Sequence, residues 1–291
     1  MTALAIGLAL AAASIHGTWN VLVKVSGDPM RTFRRSTVAA ALVVTPITLV
    51  VWFFAGRPSI TPSAAGLAAL SALLELVYLV LLSAAYSRGE LSVVYPIARG
   101  SAPLLSVAAG IGLIGERLTG GQMAGVALLL LGILAVMLPQ TSGRATVPAL
   151  LTGVSIAAYS AVDRVGVRLS TPWLYGWLLT FLLAIGLVIW GRIAPRLGAF
   201  GTRLMGLSHE LEVPPVSWPR ATMIGIFIWG GYLLVLAALS IAPLSVVAPV
   251  RETAIVAVAV WGIWKLRERR GALMKLLGAS ATLIGVALLA F

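Results

Sequence analysis

LSVVYPIARGSAPLL at residues 91–105 recurs as LSVVAPVRETAIVA at residues 244–257. Ser92 and Pro96 have counterparts 153 residues later in Ser245 and Pro249, and the similarity continues well beyond the two quoted segments. Outside the first identical stretch, the pairs at an offset of 152 or 153 are Arg99/Arg251, Glu116/Glu268, Arg117/Arg269, Gly125/Gly278 and Gly132/Gly285. A fixed offset over this length indicates that the chain contains two copies of one structural unit.

The composition is that of a chain surrounded by lipid. Apolar residues make up 60% of the 291 positions and charged residues 10%, and the mean hydropathy is +1.03. A soluble domain has about 25% charged residues, so these charges are too few to cover a surface in water. The net charge of +12 comes from Lys and Arg scattered singly between apolar runs. That pattern is typical of membrane loops and argues against a nucleic-acid interface.

Apolar runs long enough to cross a bilayer occur ten times. A spanning helix needs about 20 residues, and long apolar runs in lipid form helices because their backbone groups must be paired internally. The first run is interpreted as a span and not as a cleaved leader, because no basic residue precedes it. The connection at about 191–218 has room for a short interfacial helix. The predicted spans are residues 3–24, 36–55, 62–87, 91–114, 122–139, 148–168, 172–190, 219–241, 243–264 and 271–291.

The arrangement of the two copies follows from the number of spans in each. Five is odd, so consecutive copies must enter the membrane from opposite sides. We therefore predict an all-α polytopic membrane protein whose ten transmembrane helices form two inverted five-helix repeats, at residues 1–140 and 148–291. Inverted repeats are the usual construction of secondary transporters, which bind solute near the midplane between the halves. No GxxxxGK[ST] loop for ATP is present, so an ion gradient would supply the energy.

Four segments also resemble a known family. They are HGTWNVLVK from His16, GELSVVYPIARGSAPLL from Gly89, IGERLTGGQMAGVALLLLGILAV from Ile114 and AYSAVDRVGVR from Ala158. In order and spacing they are similar to the EamA-type branch of the drug/metabolite transporter superfamily, over essentially the whole chain. The resemblance implies a ten-helix, multi-pass carrier of the cell inner (plasma) membrane that moves a small-molecule solute by alternating access, commonly as an exporter. It implies no cofactor and names no solute.

The orientation in the membrane is left open by two conflicting arguments. The resemblance implies that both termini are cytoplasmic. However, the loops that follow the odd-numbered spans carry 15 Lys and Arg residues, whereas the opposite side carries only Arg57, Arg117, Arg164 and Arg168. The positive-inside rule would place the 15 charges in the cytoplasm and both termini outside.

Glu75 is an ionisable residue in the middle of the third predicted span. Such a residue costs about 2.5–3.5 kcal/mol on insertion scales, so its presence needs a reason. Its repeat counterparts, Ile228 and Trp229, are not acidic. Loss of hydration favours the neutral carboxyl group, so protonation would compete with binding of a substrate or a cation. The alternative is a purely architectural Glu75 that neutralises an arginine; Arg99 is the first candidate partner.

Arg99 and Arg251 are matched across the repeat, each shortly after a proline. They are predicted to lie near the pseudo-twofold axis, either holding an anionic group or anchoring Glu75, Glu252 or freed carbonyl groups. Glu252 is expected to point about 100° away from Arg251 if both lie in one helix. It is therefore interpreted as a partner for another helix.

A second group of polar residues is predicted to line a cavity or to hydrogen-bond between helices. His16, Trp19 and Asn20 share one helical face at i, i+3 and i+4, and Tyr159 and Asp163 hold corresponding positions in the second half. Tyr95 is a further candidate for the solute pathway.

The sequence also bears on metal binding, catalysis and oligomerisation. A metal site at His16 is not expected, since the only other histidine is His209 in a loop, and the absence of cysteine excludes thiolate ligands. No GxSxG or HExxH pattern favours an intramembrane enzyme over a transporter; a non-transporting sensor or scaffold is the remaining alternative. The glycines at 121, 125 and 132 indicate close helix packing, within the fold or in a homodimer.

Overall fold

The computed structural model describes residues 2–88, 91–137, 145–198, 215–254 and 272–290, and these residues form ten α-helices. These residues contain no β-strand. The helices are α1 Thr2–Lys24, α2 Pro29–Phe54, α3 Pro62–Arg88, α4 Leu91–Gly112, α5 Gly120–Met137, α6 Thr146–Gly166, α7 Pro172–Ile193, α8 Trp218–Ile241, α9 Leu244–Arg251 and α10 Ala272–Ala290.

Six of the described helices, α1, α2, α3, α6, α7 and α8, are long and apolar enough to cross a bilayer. Shorter apolar helices, Gly120–Ala135 and Leu276–Leu289, fall in α5 and α10. The outer surface of the bundle carries large apolar side chains such as Leu42, Phe54 and Leu131, which lipid accommodates and water does not. The prediction of an all-helical, multi-pass membrane protein is confirmed at this level.

The start of α2 differs from the prediction. The apolar pattern placed its beginning at residue 36, but the helix begins at Pro29. The Asp28 side chain caps it by accepting a hydrogen bond from the Arg31 backbone N–H at 2.9 Å, and proline is well suited to the first helical position. Three arginines in the first two turns hid this start, because the hydropathy pattern registers only the apolar part of a helix.

Parts of other predicted segments lie outside the described residues. They are 138–139 of the fifth span, 255–264 of the ninth, and 271 and 291 of the tenth; within the described part, helix α9 ends at Arg251. In the long connection, α7 is followed by a 3₁₀ turn at Ala194–Leu197, and residues 199–214 lie outside the description.

The helices pack in pairs that join the two halves of the chain. Helix α5 lies along α10, α3 packs on α6, and α1 packs on α8. Helices α2 and α3 both contact α7, and α4 contacts α6 and α9. The core between them is buried, and among the described residues most of its buried polar side chains come from α2, α3, α4 and α6.

Glycines allow α5 and α10 to approach closely. A methyl carbon added to Gly285 would lie 2.7 Å from the Gly125 carbonyl oxygen, and one added to Gly125 would lie 3.1 Å from the Gly285 carbonyl oxygen. Gly132 likewise faces Thr282, whose backbone nitrogen would lie 2.7 Å from such a carbon. At Gly125 and Gly132 the structure shows packing within the fold, whereas no described atom lies within 4 Å of a methyl carbon added to Gly121.

Candidate functional site

A small cavity lies in the middle of the bundle and is lined from both halves of the chain. Its polar and aromatic lining includes Trp19 of α1, Glu75 and Tyr78 of α3, Arg99 of α4, Tyr159 of α6 and Tyr232 of α8. The cavity measures about 40 Å³. One water needs roughly 10–15 Å³ on this measure, so this conformation has room for a few water molecules and not for an organic solute.

Glu252 binds two arginines beside this cavity. Its Oε1 accepts hydrogen bonds from Arg251 Nε at 2.9 Å and from Arg99 Nη1 at 3.2 Å. All three side chains are buried. The guanidinium groups are also held by hydroxyls, Arg99 by Tyr78 at 3.3 Å and Arg251 by Ser160 at 3.3 Å. One carboxylate thus offsets part of the charge of two buried arginines contributed by different helices.

This arrangement differs from two expectations. Arg99 was the first candidate partner of Glu75, but among the described residues its ion pair is with Glu252. Glu252 was expected to point away from Arg251 as it would within one helix. However, α9 ends at Arg251, and the Glu252 backbone N–H turns back to the Pro249 carbonyl at 3.2 Å. The neighbouring side chains meet because the helix is broken between them.

Asp163 is fully buried and accepts hydrogen bonds from two tyrosines. Tyr175 donates to its Oδ1 at 2.8 Å, and Tyr232 donates to its Oδ2. Glu75 lines the cavity together with Tyr232, and it lies close enough to Asp163 and Arg251 to feel their charges. Carboxyl groups from both halves of the chain are therefore found in this part of the bundle.

Tyr175 and Tyr232 were missed at the sequence level. One available signal was that Tyr232 lies 154 residues after Tyr78, close to the repeat offset. The rings of Tyr78 and Tyr232 both pack edge-on against Tyr159, with centroids 5.6 and 5.8 Å away. Together with Trp19, whose ring centroid is 5.8 Å from the Arg99 guanidinium carbon, they give the cavity an aromatic wall.

Some polar side chains of α1 line the cavity, and another holds helices together. His16 and Trp19 line the cavity, and His16 Nδ1 lies 2.7 Å from the Ala12 carbonyl oxygen. A carbonyl only accepts, so this nitrogen carries a proton. Asn20 Nδ2 donates to the His16 carbonyl within α1, and Asn20 Oδ1 accepts from the Tyr86 hydroxyl, each at 2.7 Å. The second of these bonds joins α1 to α3.

Tyr95 lies in α4, but its side chain is outside the described part of the structure. No group of three or more metal-ligating side chains occurs among the described residues.

A second buried ion pair lies at one end of the bundle. Glu116, in the connection between α4 and α5, accepts hydrogen bonds from the backbone N–H groups of Leu244 and Ser245 at 2.7 and 2.9 Å and from the Ser245 hydroxyl. Arg164 Nε lies 3.1 Å from the same carboxylate, and Arg164 also bonds the Leu239 carbonyl. A carboxylate at a helix N-terminus satisfies unpaired N–H groups and the helix dipole. Glu116 thus fixes the start of α9 against the end of α6.

The fold and the buried charged cavity define a multi-pass membrane protein. Residues 3–138 match the EamA-like transporter family, which confirms the resemblance of the sequence motifs over the first half of the chain. The members of that family are membrane transporters. A solved crystal structure, described only as that of a protein, aligns with a TM-score of 0.69 and 16% identity over 98% of this chain and 97% of its own. At that identity the likeness shows the fold alone. Among curated proteins, none matches the sequence significantly.

Proposed function

We propose that this chain is a secondary active transporter of the inner (plasma) membrane that exports a small-molecule metabolite or drug by alternating access. The observation that carries the proposal is the group of ionisable side chains from both halves that meets around the central cavity. Each such group is costly in a membrane protein, and this cost is usually accepted where a substrate or ion pathway runs.

The packing of the helices supports two inverted repeats, 1–140 and 148–291. The two repeats would pair α1 with α6, α2 with α7, α3 with α8, α4 with α9 and α5 with α10. If each helix is replaced by its counterpart, the contact of α3 with α6 becomes the contact of α8 with α1, and both contacts are present. The contact of α2 with α8 likewise becomes that of α7 with α3. Helices α4 and α9, and α5 and α10, pack on their own counterparts, as elements next to a twofold axis do. The family match, residues 3–138, also ends where the first proposed repeat ends.

Two hydrogen bonds at opposite ends of the bundle support the same relation. Arg164, near the end of α6, donates to the Leu239 carbonyl, and Lys24, at the end of α1, donates to the Tyr86 carbonyl. The acceptors are 153 residues apart, at the offset of the sequence repeat. Basic side chains near the ends of α1 and α6 therefore bond carbonyls that are matched at the repeat offset.

The inverted relation predicts where single cysteines will be labelled. The chain has no cysteine, so Val25→Cys and Leu169→Cys, at equivalent loops and both exposed, give a clean comparison. We expect a membrane-impermeant maleimide added to intact cells to label one of them and not the other. Ser59→Cys, in the next loop after Val25, is the control and should behave like Leu169→Cys. Labelling of Val25→Cys and Leu169→Cys from the same side would contradict the inversion, whichever orientation the termini have.

The small cavity supports an alternating mechanism. A solute needs more space than about 40 Å³, so the halves must separate on one side to admit it. Glu116 and Arg164 hold α6 and α9 together at one end, and Lys24 holds α1 to α3 at the other. We propose that separation loosens one end at a time while the charged centre stays in place.

Flux in reconstituted vesicles tests the function. A thermal-shift screen of purified protein identifies bound solutes, and each is then loaded into proteoliposomes with an imposed pH gradient. We expect a stabilising solute to move against its concentration gradient until a protonophore removes the pH gradient. A solute that binds but does not move in either direction would contradict transport and favour a sensor or scaffold. Covalent labelling by a serine-reactive probe would favour the enzyme alternative.

A further inference from the structure

We propose that a groove between α2 and α7 binds one anionic phospholipid, with an acyl chain lying along the groove and the phosphate held by Arg34 and Arg192 at its end. This site goes beyond the proposed transport function, because the groove faces the bilayer and not the central cavity.

The groove is open to lipid and lined mostly by apolar side chains. It measures about 430 Å³, and its exposed lining residues include Leu42 of α2 and Ile185 and Ile189 of α7. Two further lining residues, Ala41 and Ala184, are small and buried, so the groove reaches into the bundle. Apolar atoms around an empty space lose their dispersion contacts. An acyl chain from the surrounding bilayer restores those contacts.

The length of the groove fits the acyl chain of one leaflet. Phe181 and Arg192, the lining residues furthest apart along α7, are 11 positions apart, which is about 16 Å at 1.5 Å per residue. The hydrocarbon core of a bilayer is about 30 Å thick, so the groove spans about half of it. At the Phe181 end, the Trp177 ring stacks on Phe181 and its Nε1 donates to Thr45 Oγ1 at 3.1 Å. This hydrogen bond joins α7 to α2 where the groove ends.

The other end of the groove carries two guanidinium groups. Arg192 lines the groove and is exposed. Arg34 lies one turn before the lining residue Val38, and its guanidinium packs against Gly191, where an added methyl carbon would clash with it. Among the described residues, neither arginine pairs with a carboxylate. Arginine binds phosphate through paired N–H···O bonds, so an anionic headgroup would supply a partner for both.

Trp218 indicates that this end of the groove lies at the level of the lipid headgroups. It begins α8, it is exposed, and its ring centroid is 4.3 Å from the Arg35 guanidinium carbon. Tryptophan is enriched at the boundary between membrane and water, and Arg35 directly follows Arg34 in α2. The two arginines of the groove therefore lie where phosphate groups lie, and the apolar lining begins about one turn deeper.

The groove and the central cavity lie on different faces of the same helices. Thr37 and Ala40 of α2 and Leu183 of α7 line the cavity, and among the described residues none lines both spaces. Substitutions in the groove therefore leave the charged centre intact. Loss of the lipid site and loss of the proposed transport function can be told apart for this reason.

Native mass spectrometry of the purified full-length protein tests the site. The probes are dioleoyl phosphatidylglycerol, which is anionic, and dioleoyl phosphatidylcholine, which has the same acyl chains and no net charge. Inorganic phosphate serves as the anion without a chain. We expect one phosphatidylglycerol to bind at least about tenfold more tightly than phosphatidylcholine, because each arginine near a lipid phosphate contributes about fivefold. Inorganic phosphate at the same concentration should not displace it.

Variants separate the headgroup contact from the acyl-chain contact. Arg192→Gln should lower the affinity for phosphatidylglycerol about fivefold and leave that for phosphatidylcholine unchanged. Ile185→Trp places a large ring in the groove and should weaken the binding of both lipids. Arg117→Gln is the matched control, because it removes an equally exposed arginine at the opposite end of the bundle, and it should change neither affinity.

Each contrary result removes one part of the proposal. Equal affinities for the two lipids, displacement by inorganic phosphate, or an Arg192→Gln protein that binds phosphatidylglycerol as tightly as the unmodified protein would overturn the headgroup site. Undiminished binding to Ile185→Trp would overturn the groove as the position of the acyl chain. A dimer that forms without lipid and is abolished by Ile185→Trp would show that a second copy of the chain occupies the groove instead.

Discussion

Glu252→Gln should lower the stability of the folded protein by about 3–5 kcal/mol, because it removes the carboxylate that two buried arginines share. Arg99 and Arg251 would remain inside the bundle, beside the Tyr78 and Ser160 hydroxyl groups but without this carboxylate. Glutamine keeps the shape of the side chain, so the expected loss reports the charge and not a cavity. Unfolding of the purified variant in mixed micelles, compared with that of the unmodified protein, measures it.

A second variant keeps this prediction decisive if Glu252→Gln is too unstable to purify. Arg251→Met combined with Glu252→Gln removes one positive and one negative charge together, leaving Arg99 with Tyr78 and the Trp19 ring. We expect the double variant to be more stable than Glu252→Gln alone. Asp28→Asn, at an exposed helix cap, should change stability by less than about 0.5 kcal/mol. A loss of less than about 1 kcal/mol for Glu252→Gln would show that the arginines do not depend on this carboxylate.

The charged residues of the site were accessible from the sequence, but their pairing was not. The cost of burying Glu75, Arg99 and Arg251 marks them as residues with a role, whatever the fold. Which carboxylate meets which guanidinium depends on the end of α9 at Arg251, where a turn brings Glu252 back towards its neighbour. A helical-wheel argument assumes an unbroken helix and fails at such a break.

The tyrosines around Asp163 were harder to find for another reason. Tyr175 and Tyr232 lie on α7 and α8, in apolar runs where an aromatic residue ordinarily packs against lipid or core. Their hydroxyl groups matter because the packing of α6 against these helices directs them to one carboxylate. That convergence is a property of the assembled bundle, and a single sequence carries no pattern for it.

Glu116, at one end of the bundle, was easier to locate from the sequence than these tyrosines. Glu116 was visible as part of the repeat through its match with Glu268, although no role was assigned to it. The structure gives it one, as the cap of α9 and the partner of Arg164. Repetition in the sequence located a residue with a structural function before its contacts were known, because equivalent positions in two copies tend to serve the same packing need.

Glu75→Gln should abolish proton-driven transport while leaving the protein folded. Glu75 is not the carboxylate that pairs with Arg99, so the variant leaves the ion pairs of Glu252 intact. Glutamine also keeps the shape of the side chain and removes a charge that is costly to bury in a membrane protein. The unfolding temperature should therefore stay close to that of the unmodified protein, whereas flux driven by a pH gradient should fall to the level of vesicles without protein.

Exchange of labelled for unlabelled solute, measured in the same vesicles, is compared with the flux driven by the pH gradient. Exchange needs the halves to alternate but needs no net proton movement, so we expect Glu75→Gln to retain part of it. Asp28→Asn, reconstituted in parallel, should keep both gradient-driven flux and exchange.

A Glu75→Gln protein that remained stable and fully proton-coupled would remove Glu75 from the mechanism. One that lost about 3–5 kcal/mol of stability would instead show that Glu75 serves as a counter-ion to the nearby Arg251. Measuring unfolding, driven flux and exchange on this variant therefore separates a coupling carboxyl group from an architectural one.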